Sequence, residues 1–269
     1  MNSPTGLRYY WEERSVSKRF TTPLSVETLE RYVAKDALIL DDGCGYGRSL
    51  AELRDAGFKR LTGVDFSTAL VERARREVPE AKLYVADATS LPFDDASFDA
   101  ALLFGVLTCV PSDESQTRVA AEARRVLKPG GVLYVNDFLL NDDARNKERY
   151  ARAPQGYPYG VFSLPEGAIL RHHREEYVRE LFRDFETLSF EKTVFPTMNG
   201  HRSNAFIYVG RKLLVIEELR RVLLRRRRVC PVIGARRRDV LGLPGSSALR
   251  KCEGSPGKGS SCRGRRSLE

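Results

Sequence analysis

The chain has 269 residues, enough to bury a sizeable core as one large domain or two small ones. It has no run of 18 apolar residues, which excludes a membrane-spanning helix, and Met1–Arg8 lacks the apolar stretch of a secretory signal. The formal charge of +9 is unevenly placed: residues 211–269 carry 17 Lys/Arg and 5 Asp/Glu, leaving 28 basic and 31 acidic side chains in the first 210, so the body is not the basic surface that nucleic acid selects.

In chain order, residues 7–20 mix charge with Tyr9, Tyr10, Trp11 and Phe20. They predict a short amphipathic helix that either packs on the body or covers a site as a lid. Thr21-Thr-Pro23 ends it, and Ser25 is placed to cap a helix running to about Lys35. Ala37–Leu40 is short and apolar, as in a buried strand. It runs into Asp41 and Asp42, then glycines at 43, 45 and 47, and then Arg48–Ala56 with Leu50 and Leu53 at helical spacing. Strand, glycine turn and helix is a layout that lets a ligand approach the backbone and presents a helix N-terminus. It is also an ordinary strand–helix turn. The spacing is G-x-G-x-G rather than the G-x-G-x-x-G of dinucleotide sites, and a carboxylate at the strand end suits a cationic ligand better than a pyrophosphate.

A second strand, Arg60–Val64, ends in Asp65, placed to accept hydrogen bonds from ribose hydroxyls or to cap the turn, and Ser67 is the N-cap of a helix through Arg76. A third strand, Ala81–Ala86, ends in Asp87-Ala88, where a carboxylate and a backbone N–H suit an adenine edge. Phe98–Phe104 reads as a fourth strand and Asp113–Leu127 as a helix stopped by Lys128-Pro-Gly-Gly131, with Val132–Asp137 the fifth strand. Such alternation implies parallel, right-handed crossovers. Residues 138–172 read as an irregular insertion carrying Tyr157 and Tyr159. A helix then follows from the His172-His173 pair to Phe182, and strands at Phe185–Val194 and Arg202–Val209 are joined by Asn199-Gly200.

Four motifs, in order, carry a resemblance: DDGCGYGR at 41–48, GVDFS at 63–67, ADATSLPFDDASFDA at 86–100 and VLKPGGVLYVNDF at 126–138. Residues 37–138 resemble the class I, Rossmann-like S-adenosylmethionine (SAM)-dependent methyltransferases of the small-molecule type. The resemblance implies an α/β fold: a doubly wound, mostly parallel seven-stranded sheet with helices on both faces and a closing antiparallel β-hairpin. It implies SAM as cofactor and S-adenosylhomocysteine as product, with no metal. Asp41, Gly43, Gly45 and Gly47 would hold the methionine part, Asp65 the ribose, Phe66, Asp87 and Ala88 the adenine, while Phe104 and Gly105 would line the pocket near the methyl. Asp42 departs from the pattern, since the family places an apolar residue there, and Tyr46 is bulkier than the usual small residue.

On this reading residues 1–36 form a helical lid, 37–210 the methyltransferase domain with a substrate cap at 138–172, and 211–269 a basic tail too poor in apolar residues to fold. The expected reaction is in-line methyl transfer to an O, N or C atom of a small molecule. A base is needed only where the acceptor must lose a proton; His172, His173, Tyr157 and Asp137 are the candidates, in that order. Two other readings are an RNA methyltransferase that uses the basic tail as an arm, and a SAM-binding accessory protein without catalysis. A dinucleotide oxidoreductase ranks last. Five cysteines, at 44, 109, 230, 252 and 262, match no common zinc spacing and fit a reducing, cytoplasmic setting.

Overall fold

Seven strands form one sheet in the spatial order Lys82–Val85, Arg60–Asp65, Leu38–Asp42, Phe98–Phe104, Leu127–Phe138, Arg202–Lys212 and Phe185–Pro196. The computed structural model describes residues 9–14, 17–197 and 200–214. In chain order these form α1 (a π-helical turn, Tyr10–Arg14), α2 (Val26–Glu30), β1 (Leu38–Asp42), α3 (Arg48–Asp55), β2 (Arg60–Asp65), α4 (Thr68–Glu77), β3 (Lys82–Val85), β4 (Phe98–Phe104), α5 (Val106–Cys109), α6 (Asp113–Val126), β5 (Leu127–Phe138), α7 (Ala144–Ala151), β6 (Val161–Ser163), β7 (Ile169–Arg171), α8 (Glu175–Leu181), β8 (Phe185–Pro196) and β9 (Arg202–Lys212). Strands β1 to β5 pair in parallel, while β9 is antiparallel to both β5 and β8. This is the doubly wound architecture expected from the strand–helix alternation, with its closing hairpin.

The two faces of the sheet follow from the period of two along each strand. On β1, Ile39 points to the layer holding Leu29, Leu50 and Leu53, and Leu40 to the layer of Val119, Ala123, Val126 and Val178. Both residues are fully buried, as central parallel strands require, and each such side chain contributes about 1.5–3 kcal/mol. Helix α6 is locally well determined: Ser112 accepts the Ser115 N–H at its start, Asp113 and Glu114 lie in its first turn, and Arg124 and Arg125 in its last.

Several elements differ from the sequence expectations. Among the described residues of the segment expected as a helix over 7–20, the turn α1 and a non-helical stretch from Lys18 appear, and α2 stops at Glu30 rather than near Lys35. Helix α6 ends at Val126, and β5 begins at Leu127 because Leu127 already pairs with Phe98. The Lys128–Gly131 segment then bulges before Val132 pairs with Ala100. Residues 138–172 are not irregular: they contain α7 and the hairpin β6–β7, and Leu139 bridges His173. The expected helix after the His pair starts only at Glu175. Strand β9 continues to Lys212, two residues past the boundary expected at 210, and the Lys212 ammonium donates to the Leu127 carbonyl. The expected tail beyond Leu214 lies outside the described residues.

Candidate active site

The site is built at the carboxyl ends of β1, β2, β4 and β5, where short connections leave backbone groups unpaired by the sheet. After β1 the chain turns so sharply that Gly43, Gly45 and Gly47 all have positive φ. At Gly43 a Cβ would lie 2.5 Å from Val106 Cγ2, and at Gly45 it would lie 3.1 Å from the ring of Phe20. The Gly43 and Cys44 N–H groups both donate to the Val64 carbonyl at 2.8 Å, which ties the turn to β2.

Four buried carboxyls surround this turn and its neighbour. Asp41 is fully buried; Ser49 donates to its Oδ2, and its Oδ1 has no hydrogen-bond partner among the described residues. Burial pushes its pKa up to about 6, against the Ser49 hydrogen bond. Asp42, 1% exposed, has no partner at either oxygen among the described residues. Burial, and then the neighbouring Asp41, raise it well above the ordinary carboxylate range. Asp65 accepts the Gly45 N–H on one oxygen and the Ser67 N–H on the other, each at 2.9 Å, so it joins the glycine turn to the start of α4. Burial lifts it to about 6 despite those bonds. Asp137, at the end of β5, accepts from the Thr108 hydroxyl and N–H and from the Phe138 N–H; burial brings it to about 6 as well. Burial, and then Asp137 and Asp65, raise the Cys109 thiol well above its ordinary value.

The other expected cofactor residues lie around the same ends. Phe104 lies under the Arg48 guanidinium, whose carbon is 4.9 Å from the ring centroid, and Gly105 turns the chain with φ 71°. Phe66 packs on an aromatic cluster of Tyr10, Trp11, Phe20 and Tyr46. Asp87 is exposed; its Oδ1 accepts the Thr89 N–H at 2.8 Å and hydroxyl at 2.7 Å, while the adjoining Ala88 is half-buried against the core.

Of the four candidates for proton transfer, three are already engaged by the protein. The His172 Nδ1 receives the Tyr150 hydroxyl at 2.7 Å and the Asn141 amide at 3.2 Å, which leaves its proton on Nε2. The Tyr150 oxygen also accepts the Asn141 N–H at 3.2 Å. The His173 Nδ1 faces the Phe138 carbonyl at 3.1 Å, and its Nε2 meets the Gln116 amide at 2.8 Å. Burial depresses both imidazoles to about 3, so both are neutral. Asp137 is held as above. Tyr157 lies half-buried in the connection between α7 and β6.

Sequence reasoning missed several residues that shape the site. Glu12 reaches from α1 to the start of α4, where its carboxylate accepts from the Ser67 hydroxyl and from the Thr68 and Ala69 N–H groups at 3.2–3.3 Å. Phe20 stacks on Tyr46 at 5.2 Å, and the Tyr46 hydroxyl accepts the Phe20 N–H. Asn136 is fully buried; its amide donates to the Pro23 carbonyl, while its Oδ1 has no partner among the described residues. The capping pattern of Glu12 was invisible in sequence, because it joins positions 55 to 57 residues apart.

This arrangement fits a cationic ligand with a ribose. The unpartnered acceptors Asp41 Oδ1 and Asn136 Oδ1 need donors, and the bare Gly43–Gly47 backbone leaves no room for a side chain. Comparison with known proteins agrees. Residues 40–135 match the family described as "Methyltransferase domain". The chain is 32% identical over 172 residues to the demethylmenaquinone methyltransferase of Beutenbergia cavernae, covering 60% of this chain and 68% of that one. It is 29% identical over 223 residues to the O-methyltransferase resE of Aspergillus sclerotiorum, covering 77% and 80%. A crystal structure of a SAM-dependent methyltransferase from Methanosarcina mazei superposes with a TM-score of 0.68 at 30% identity, over 72% of this chain and all of that one. A glycine turn tied to a buried carboxylate at the end of β2, on this sheet order and with these relatives, places the chain in the family of SAM-dependent methyltransferases, enzymes whose cofactor is SAM.

Proposed function

We propose that the enzyme methylates a small organic acceptor at an oxygen, nitrogen or carbon atom, with the acceptor held between the carboxyl ends of β4 and β5 and the cap of residues 138–172. The carrying observation is the glycine turn after β1, pinned by buried Asp65, with buried Asp41 closing β1 and buried Asp137 holding the start of α5. The relatives named above, an O-methyltransferase and a demethylmenaquinone methyltransferase, support a small-molecule acceptor. The slightly acidic first 210 residues speak against RNA. No helix among the described residues is long and apolar enough to cross a membrane, and the free thiols of Cys44 and Cys109 suit the cytoplasm.

SAM supplies an activated methyl group, so the chain is left to orient the acceptor and exclude water. In this reading Asp41 and Asn136 take the methionine end, with the glycine turn as its bed. Asp65 and Phe66 hold the ribose and adenine, and Asp87 with Ala88 the adenine edge. Phe104 lines the path to the acceptor. Asp137 takes the proton where the acceptor is a hydroxyl, because its folded value near 6 leaves it ionised at neutral pH and basic enough to accept. His172 presents its Nε2 proton to the acceptor as a donor, while His173 positions the junction of β5, α6 and α8. Tyr157 closes the cap side. The segment before β1 acts as the lid.

The test is calorimetric titration of the full chain with SAM and with S-adenosylhomocysteine, beside Asp65→Ala. Loss of charge-assisted hydrogen bonds predicts weakening by about 1–3 kcal/mol, roughly tenfold to a hundredfold. Unchanged affinity in a folded Asp65→Ala protein rejects the ribose assignment. A folded wild-type protein that binds neither compound rejects the whole reading.

A further inference from the structure

The cap carries an excess of positive charge that the methyl-transfer site does not use. On α7, Arg145 and Arg149 are four residues apart and so share one face, and Arg152 follows at the C-cap. The adjacent face buries Asn146 and Tyr150. Elsewhere the protein balances such arginines with a carboxylate on the same helix: Arg31 with Glu27, Arg73 with Glu77, Arg118 with Glu114 and Arg179 with Glu175. On α7 only Arg152 has such a partner, Glu148. Neither Arg145 nor Arg149 has a carboxylate within ion-pair distance among the described residues. Two unpaired like charges at this spacing weaken a helix.

Arg149 is also fixed in place. Its guanidinium carbon lies 3.5 Å from the centroid of Phe162, a buried ring of β6, and that ring lies 4.9 Å from the His172 ring on its other contact. Stacking on an aromatic face leaves the guanidinium edge and its N–H groups directed sideways. They face a cleft of about 290 Å³ lined by Arg145, Glu148, Arg149, Arg152 and Ser163. Three guanidinium groups and one hydroxyl against a single carboxylate leave a net positive site, and planar forks of donors match the oxygens of a tetrahedral anion.

We propose that this cleft binds a phosphate-type oxyanion, either free phosphate or a phosphate monoester, with Arg145 and Arg149 as its principal ligands. Carboxylates have only two oxygens in one plane and use fewer of the donors that the arginines and Ser163 offer. The bound anion removes the repulsion between Arg145 and Arg149 and takes the place of the acidic partners that the other arginine-bearing helices have. None of its lining residues belongs to the glycine turn or to the carboxyls around it.

The experiment is calorimetric titration of the full chain with inorganic phosphate and, separately, with phenyl phosphate, at ionic strength held constant with potassium chloride. Wild type is compared with Arg145→Gln, Arg149→Gln and the double variant, with folding checked by thermal melting. Arg145 is exposed, so its substitution leaves the fold intact even where loss of the Arg149 stacking does not. Saturable binding that weakens at least fivefold in Arg145→Gln, and at least tenfold in a folded Arg149→Gln or double variant, is the expected result. Phenyl phosphate binding more tightly than inorganic phosphate assigns the oxyanion to a larger molecule; equal or weaker binding assigns it to free phosphate. Absence of saturable binding overturns the proposal. So does binding that Arg145→Gln leaves unchanged, which would place the anion on the basic residues beyond 210.

Discussion

Asp42 is the residue whose chemistry is least balanced. A carboxylate with neither oxygen hydrogen-bonded, 1% exposed and beside Asp41, costs free energy whether it ionises or takes a proton. Its folded pKa is raised above its unfolded value, so its favourable contribution is present at low pH and is lost as pH rises. Asp42→Val, which removes the polar atoms at similar volume, is expected to raise stability by about 1–3 kcal/mol at pH 7, the scale of an unsatisfied buried group. The gain should shrink toward pH 3, below the unfolded value of about 3.9, where the carboxyl is largely neutral in both states. Urea denaturation at the two pH values checks both parts; a loss of stability at pH 7 would show that Asp42 has a partner in solution. The sequence displays the departure, since a carboxylate stands at a position for an apolar residue. That it goes unpartnered follows only from Val64 and Leu103, which pair with it on either side.

At the scale of elements, α1 and α7 show how short helices escape sequence periodicity. Helix α7 buries only Asn146 and Tyr150, so it carries no apolar stripe, and its start depends on Asp143 accepting the Asn146 N–H. Among the described residues the N-terminal segment shows a single turn, whose aromatic residues find partners across the fold rather than along a helix: Tyr10 and Trp11 pack with Tyr46, Leu70 and Ala168. Its tether is Glu12 at the N-terminus of α4, where an acid is stabilised by free N–H groups and the helix dipole. Glu12→Ala is expected to cost about 0.5–2 kcal/mol of the closed lid, the range for a lost helix cap. S-adenosylhomocysteine should then bind roughly threefold to thirtyfold more weakly and leave faster, while the melting temperature changes little. Stopped-flow dissociation measures it; an unchanged off-rate would detach the segment from the cofactor site.

For the molecule as a whole, the carboxyl ends of the parallel strands gather acids whose mutual distance in sequence conceals their coupling. Asp41 and Asp65 sit near 6 in the free protein, raised chiefly by burial. A cationic ligand that accepts their charge lowers both, so SAM affinity is expected to rise as pH increases from about 5 to 7 and then level off, by at most about tenfold for each coupled carboxyl per pH unit. S-adenosylhomocysteine lacks the sulfonium and should follow a shallower curve. Calorimetry of both ligands across this range measures the ratio, and parallel curves would remove the sulfonium from the coupling. The glycine turn, the acids closing β1, β2 and β3, the alternation of strand and helix and the closing hairpin are all local patterns, and the sequence by itself determined them. Backbone freedom at glycine and the apolar runs of buried strands act within a few residues. Only the tertiary structure decided that Asp65 pins the turn, that Glu12 caps α4, that His172 Nδ1 is spent on Tyr150 and His173 Nε2 on Gln116, and that Arg149 lies on Phe162. Each of these joins elements far apart in the chain, and a hydrogen bond or stacked ring leaves no periodic trace in either partner.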